Sequence, residues 1–475
     1  MIKLHNTLTG LAQDFIPQSP DSVSLYTCGP TVYNDLHVGN WIAYLRWDIL
    51  VRALLAEDYT VDRVMNITDV GHLVSDADDG EDKMQKGAQR EGVSAWDIAA
   101  RYTDSFIKGM DELGLVSPQH LVKATDHIPQ QIALIQKLEE KGYTYTIDDG
   151  VYFDTSKFPT YGDFAHLDMD NLRAGARIQF NQQKHSPTDF AVWKFSPVGE
   201  QRDMEWESPW GKGFPGWHVE CSAMAIEYLG ATLDIHTGGI DHIPVHHTNE
   251  IAQSEAATGV RFANYWLHAN FLMADGQKVS KSLENGYTLD DISQKGYSPY
   301  DFRMFALQSH YRTESNFTWE NLHGAAQRLK HWLDAANIRW QMHDTLVDDE
   351  DKSADESNVA LLGHLQAAQD AVRDDLNTPE ALKIIEEALA LLTKERTDIQ
   401  QGVFEKILDF IEEQCGLPIR TLTPDIDEDA KLLLIERMRA REAKNWIQSD
   451  SLRDKLLDRD ISVRDDASGQ IWSRS

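Results

Sequence analysis

A thirteen-residue loop, Cys28-Gly29-Pro30-Thr31-Val32-Tyr33-Asn34-Asp35-Leu36-His37-Val38-Gly39-Asn40, joins two segments of different periodicity. Before it, Val23-Ser24-Leu25-Tyr26-Thr27 alternates as a half-buried strand does. After it, the apolar positions of Trp41 to Leu55 recur at helical spacing. About one helix later Val61 to Thr68 is a second apolar, β-branched run, which completes a strand–helix–strand unit of the dinucleotide-binding type.

Two chemistries share that loop. Cys28 offers a soft thiolate at the strand end. His37-Val38-Gly39-Asn40 brings an imidazole, a glycine and an amide to the helix start, where free N–H groups and the helix dipole favour a phosphate. A nucleotide site beside a thiol is the first expectation, weighed against an ordinary buried cysteine.

The rest of the chain must decide between these readings. Its 475 residues leave room for roughly two to four domains with real cores. Three cysteines, Cys28, Cys221 and Cys415, are too few for a disulfide framework and suit a reducing compartment. Lys plus Arg is 45 against 77 Asp plus Glu, a formal charge of −32 with a pI near 4.8. That balance excludes a general nucleic-acid binder with a broad basic surface but leaves room for a local basic patch. No charged-then-apolar opening reads as a secretion signal, and no run approaches the roughly 18 apolar residues of a membrane span. A cytoplasmic protein without a membrane partner is therefore expected.

The fold class expected is α/β: a Rossmann-type parallel-sheet domain with a mixed insertion, followed by an all-α bundle and a small C-terminal domain. Residues 1–115 and 213–317 carry the parallel-sheet pattern, with later strands at Ala231 to His236 and Tyr265 to Met273. Within them Ala95 to Leu113 reads as a helix whose Trp96, Ile98, Tyr102, Phe106 and Met110 form a core face, and Asp69 to Asp82 as an acidic loop. Residues 116–212, with a helix near Ile128 to Lys141 and short strands Val151 to Asp154 and Asp189 to Lys194, read as the insertion.

From 318 the spacing is helical, with stripes at Leu322, Ala325, Leu329, Trp332, Ala336 and Trp340 and at Leu361, Leu365, Ala368 and Val372. Asp344 to Ser357 is an acidic loop between them, Cys415 reads as core, and a break at Thr421 to Asp429 divides 318–420 from 421–475. From 429 onward the acidic bias is gone, with ten Lys/Arg against nine Asp/Glu. Arg437, Arg439, Arg441 and Lys444 lie near Trp446, with Arg453, Lys455 and Arg459 following. They read either as a charged helix face or as a phosphate-tracking patch for RNA.

Two constellations carry chemistry. In Gly216-Trp217-His218-Val219-Glu220-Cys221 stands a second thiol, and His246-His247-Thr248-Asn249-Glu250 opens a helical segment. His246 and Glu250 are four apart and share a helical face, so Cys28, Cys221, His246 and Glu250 make a plausible Zn²⁺ set. His247, three from Glu250, is the alternative imidazole, and a hydrogen-bonding cluster of His236, His242, His246 and His247 is the bland one. Further on, Lys278-Val279-Ser280-Lys281-Ser282 follows Asp275-Gly276. Two lysines three apart in such a loop suit a mobile clamp on a triphosphate.

Taken together, H-V-G-N and K-V-S-K-S resemble the HIGH and KMSKS signatures of class I aminoacyl-tRNA synthetases. C-G-P-T-V-Y at 28–33, N-I-T-D at 66–69, D-F-A-V-W-K at 189–194, G-W-H-V-E-C-S-A-M at 216–224, H-H-T-N-E-I-A-Q-S-E at 246–255 and D-D-L-N-T-P-E-A-L at 374–382 closely resemble the cysteinyl-tRNA synthetases. The resemblance implies ATP-dependent ligation of L-cysteine to tRNA-Cys through an adenylate. It implies one Zn²⁺ on Cys28, Cys221, His246 and Glu250, preferring His246 over His247, and ATP with Mg²⁺ as substrate. Gly29, Thr68, Trp217 and His236 would line the amino-acid pocket. His37, Gly39, Asn40, Gly239, Ile240 and Asp241 would contact ATP, and Lys278 with Lys281 would clamp its phosphates. His37, Asn40, Lys278 and Lys281 are thus the expected catalytic residues. The helical and C-terminal domains would hold the tRNA, the last reading its anticodon, and a monomer is expected.

Two positions depart from the signatures: Asn40 stands where the motif name has His, and Val279 where it has Met. A cysteine-activating ligase for a small amine, or a tRNA-binding module with a decayed active site, are the alternative readings. The first leaves residues 318–475 without a purpose, and the second must explain why both lysines and all four donors remain.

Overall fold

The computed structural model describes residues 1–70, 83–167, 181–197, 199, 202–279, 285–341, 356–396, 398–466 and 469–474. Residues divide into two compact units, one of 1–292 with 311–317 and the other of 293–310 with 318–475.

The first unit is built on a five-stranded parallel sheet. Its strands are β1 (Ser22–Thr27), β2 (Thr60–Ile67), β3 (His120–Lys123), β4 (Leu233–Gly239) and β5 (Ala263–Ala269), and they lie in the order β5-β4-β1-β2-β3. The chain builds outward from β1 to one side, then returns after the insertion to pair β4 with the other edge of β1, Ile235 opposite Leu25 and His236 opposite Tyr26. Loops leaving β1 and β4 therefore diverge at the carboxyl edge, where open α/β sheets bind ligands.

Helix α1 (Val38–Leu55) connects β1 to β2 and is buried on nearly every side, from Val38, Trp41 and Ile42 to Leu50 and Leu54. Helix 95–112 packs on it so closely that a Cβ on Gly109 would stand 2.4 Å from the Trp41 ring. Phe106 fills that contact, stacked on Trp41 and edge to face with Tyr44; Ile98, Tyr102 and Met110 are also buried, but Trp96 is 46% exposed. Trp96 sits in the first turn after the Ser94 cap, and its indole instead donates to the Asp203 carbonyl and meets Trp206 edge to face.

After the insertion, α2 (Trp217–Leu229) leads into β4, and a π-helical turn, Ile243–His247, precedes α3 (Thr248–Thr258), which returns the chain to β5. β4 runs three residues further than Ala231 to His236 suggests, to Gly239. The run Tyr265 to Met273 is broken: β5 stops at Ala269, and Asn270 turns the chain, its side chain accepting from the Phe271 N–H. Leu272–Ala274 then joins a separate small sheet with Gln277–Lys278 and Ser315–Phe317.

The insertion contains a helix at Ile128–Glu140 and an antiparallel sheet of Thr144–Ile147, Gly150–Phe153, Phe190–Phe195 and Gly213–Pro215. Val151, Phe153, Phe190 and Val192 face a core shared with Ile135, Leu138 and Val219. Asp69 is buried and accepts from Thr125, whereas 71–82 of the acidic loop lie outside the described residues.

The second unit is mainly helical, with long helices Trp319–Ala336, Glu356–Arg373, Thr378–Lys394, Gln401–Glu413, Glu428–Glu442 and Trp446–Leu457 and a terminal hairpin, Ile461–Asp466 with Gly469–Arg474. The stripe from Leu322 to Ala336 and that from Leu361 to Val372 are buried, as is Cys415. Trp340 is partly exposed, its indole donating to the Thr423 carbonyl. Arg303 is buried here, donating to the Cys415 carbonyl at 2.6 Å. Most of the expected 344–357 loop lies outside the described residues, and Glu356 and Ser357 already belong to a helix. No described helix is long and apolar enough to cross a membrane.

Candidate active site and metal centre

The carboxyl ends of β1, β2 and β4 open into a cleft of ≈ 880 Å³. Of the residues singled out in the sequence, Cys28, Gly29, His37, Gly39, Asn40, Thr68, Trp217, Cys221, Gly239, Asp241, His246 and Lys278 line it. His236 and Glu250 are fully buried behind that lining. Lys281 lies outside the described residues.

One wall holds the metal-ligand candidates. The thiols of Cys28 and Cys221 and a ring nitrogen of His246 lie within 4.8 Å of one another. Cys28 also belongs to a second group of that size with His236, His247 and Glu250. The carboxylate of Glu250 stands 3.8 Å from His246 Nε2, 3.7 Å from His247 Nε2 and 3.3 Å from His236 Nε2. Its Oε2 is buried without a hydrogen-bond partner. The spacing ambiguity between His246 and His247 thus acquires a geometry: His246 groups with both thiols, and His247 groups with Cys28 and the carboxylate.

Each imidazole is anchored at its other nitrogen, His246 Nδ1 by His218 Nδ1 at 2.9 Å and His247 Nδ1 by His268 Nε2 at 2.8 Å. Such outer partners fix ring orientation at metal sites. His218 and His268 escaped the sequence reading, although His218 stands three residues before Cys221.

Electrostatics at this wall oppose several negative charges at once. Contact with Cys221 and then burial hold the Cys28 thiol well above its usual range. The Cys221 thiol is also raised: its hydrogen bond with Cys28 acts downward, but burial and the nearby Glu250 outweigh it. Burial, then the surrounding imidazoles, push His247 well below its usual value. Two soft sulfurs, imidazoles and an orphaned buried carboxylate oxygen are a donor set that fits a divalent zinc-like cation.

The N-terminus of α1 also lines the cleft. His37 is its N-cap in extended conformation, and Asn40 Oδ1 accepts from the His37 N–H at 3.2 Å. Asn40 therefore has a local capping function, which a shorter side chain would lose. Gly39 leaves room beside the His37 ring, where a Cβ would already be 3.0 Å from the imidazole. Lys278, exposed on the short sheet, sends its Nζ over the Phe271 ring at 5.2 Å from the centroid. Arg90, from helix 83–91, and Phe271 also line the cleft, and nothing in their local sequence marks them.

The basic C-terminal patch is less available than its composition suggests. Arg437 is 1% exposed and bound through two nitrogens to Asp465, so it is a structural cation. Arg441 also contacts Asp465 and covers the Trp446 ring, while Arg439 and Lys444 are exposed. Arg453 pairs with Asp450, and Arg459 with Asp427.

Residues 14–327 match the family described as tRNA synthetases class I (C) catalytic domain, and residues 423–472 match the cysteinyl-tRNA ligase anticodon binding domain. A cysteine–tRNA ligase 1 of Burkholderia lata is 44% identical over 474 residues, covering 99% of this chain and 96% of that protein. A cysteine–tRNA ligase of Treponema denticola is 41% identical over 497 residues, covering 100% of this chain and 99% of the relative. Among solved structures, a Mycobacterium tuberculosis methionyl-tRNA synthetase in complex with methionyl-adenylate aligns with a TM-score of 0.59 at 15% identity, covering 83% of this chain and 92% of that one. The ternary complex of Agrobacterium radiobacter K84 agnB2 LeuRS with tRNA and LeuAMS aligns at 0.61 and 13% identity, covering 87% and 86%. At these identities the likeness to the two structures concerns the fold.

Proposed function

Because this chain belongs to the cysteine–tRNA ligase family of class I aminoacyl-tRNA synthetases, we propose that it ligates L-cysteine to tRNA-Cys with ATP, through a cysteinyl-adenylate. The observation that carries this reading is the convergence of Cys28, Cys221 and His246 within 4.8 Å, on the wall of a cleft that the N-terminus of α1 also lines. Cys28, Cys221, His246 and Glu250 would hold one Zn²⁺, which when bound supplies a sulfur-seeking Lewis acid that favours a thiolate over a serine hydroxyl. Selection at that level leaves no need for an editing site, unlike discrimination by a single methylene at about 1–3 kcal/mol.

Gly29, Thr68 and Trp217, with His236 behind them, form the amino-acid pocket. The Trp217 ring, 4.7 Å from that of His246, closes the pocket beside the thiol-binding wall. The substrate carboxylate, held there, attacks the α-phosphorus of ATP in line, and no side-chain nucleophile is required. ATP, entering with Mg²⁺, lies along His37, Gly39, Asn40, Gly239 and Asp241, where the positive end of the α1 dipole favours its phosphates. Lys278 and Lys281 meet the charge that grows on departing pyrophosphate. The terminal ribose hydroxyl of the tRNA then takes the cysteinyl group.

Residues 1–115 and 213–317 form the catalytic domain, 116–212 the insertion, 318–420 the helical tRNA-binding domain and 421–475 the anticodon-binding domain. The protein acts as a cytoplasmic monomer. The test is ATP–pyrophosphate exchange with each amino acid in turn, followed by charging of tRNA-Cys. Cysteine-dependent exchange and charging are expected. Exchange absent with cysteine, or present without charging, overturns the reading.

A further inference from the structure

Gly29 and Thr68 follow different strands, yet one buried amide joins them. The Asn66 side chain, on β2, is 2% exposed. Its Oδ1 accepts from the Gly29 backbone N–H at 2.8 Å, and its Nδ2 donates to Thr68 Oγ1 at 3.0 Å. A backbone N–H only donates, so the oxygen end of the amide must face Gly29 and the nitrogen end must face Thr68. The Thr68 hydroxyl is fixed a second time by Glu220 Oε2 at 3.4 Å.

Backbone contacts tighten the same junction. The Thr68 N–H donates to the Pro30 carbonyl at 2.9 Å, and Val32 N–H donates to the Thr68 carbonyl at 3.1 Å. The two loops approach so closely that a Cβ on Gly29 would fall 1.7 Å from the Asn66 carbonyl oxygen. Asn66, Thr68 and Gly29 all line the cleft.

We propose that Asn66 is a positioning residue that sets the Gly29 backbone and the Thr68 hydroxyl in one arrangement, and thereby fixes the shape of the pocket for the amino acid and not for the nucleotide. The inference rests on the cysteine–tRNA ligase reading. The His37 and Lys278 side of the cleft receives none of these hydrogen bonds, so the effect of losing the amide is confined to one substrate.

The test uses the full chain in steady-state ATP–pyrophosphate exchange. Asn66→Asp keeps the volume and the acceptor for Gly29 but removes the donor to Thr68. Asn66→Ala removes both. Each is expected to raise the KM for cysteine by about 10-fold or more, the scale of a slightly misplaced binding group, with the KM for ATP and the zinc content unchanged. Equal rises in both KM values, loss of zinc, or an unchanged KM for cysteine in the volume-conserving Asn66→Asp would overturn the proposal. Absence of cysteine-dependent exchange in the unmodified protein would instead overturn the reading beneath it.

Discussion

At the scale of single residues, the metal wall makes two demands that substitutions can separate. Gly29 is required by space: a methyl group there meets the Asn66 backbone, which cannot rotate away. Gly29→Ala should displace the loop carrying Cys28, lowering both zinc content and cysteine-dependent exchange, the latter by roughly 10²-fold. Equilibrium metal analysis and exchange assays on the purified variant check both. Cys221 is required by chemistry, since a serine hydroxyl is a hard, weakly acidic oxygen in place of a soft thiolate. On the proposed reading elemental analysis should find one zinc ion in the unmodified chain and a substoichiometric amount in Cys221→Ser. Spacing alone proposes these donors but cannot rank His246 against His247, because neighbouring residues reach the same helical face by different offsets. The π-helical turn and the anchors His218 and His268, contacts spanning more than twenty residues, are what give the two imidazoles distinct surroundings.

At the scale of elements, a close contact lies where helix 95–112 crosses α1. A methyl group on Gly109 would gain about 1 kcal/mol of helix propensity, but it would stand 2.4 Å from the Trp41 ring in a filled core. Overpacking typically costs about 1–3 kcal/mol, so the clash wins. Gly109→Ala should lower the denaturant midpoint of the first unit without changing the m-value much, which a urea titration followed by tryptophan fluorescence would measure. Elements with a strong period were legible from the start: β1, α1 and β2 lie close to where alternation and helical spacing put them. Those that failed did so for local reasons. Trp96 matches the apolar period, yet its neighbours Ala95 and Ile98 take the buried face of that turn while its indole is drawn to Asp203 and Trp206. The run through Ala269 to Met273 reads as one strand because the turn at Asn270 depends on a side-chain hydrogen bond that hydropathy does not register. Arg437 reads as surface charge because its partner, Asp465, arrives 28 residues later on the terminal hairpin.

At the scale of the whole molecule, the charge of −32 sets a repulsive background. Raising ionic strength from about 0.01 to 0.15 M shortens the screening length from about 30 to about 8 Å, so self-repulsion should weaken and the thermal midpoint should rise over that range. A scanning calorimetry series in sodium chloride checks the sign, and a midpoint that falls would mean that attractive ion pairs dominate. The pairing of β1 with β4 has a consequence for how the molecule is made. Cys28 leaves the ribosome long before Cys221 and His246, and these donors meet only when the returning strand docks. Zinc capture, on the proposed reading, would then report the docking of β4 on β1, not the first steps of folding. In refolding from urea, a zinc-responsive dye should lose its signal in step with the slowest fluorescence phase, and a chain truncated before Cys221 should leave the dye fully loaded.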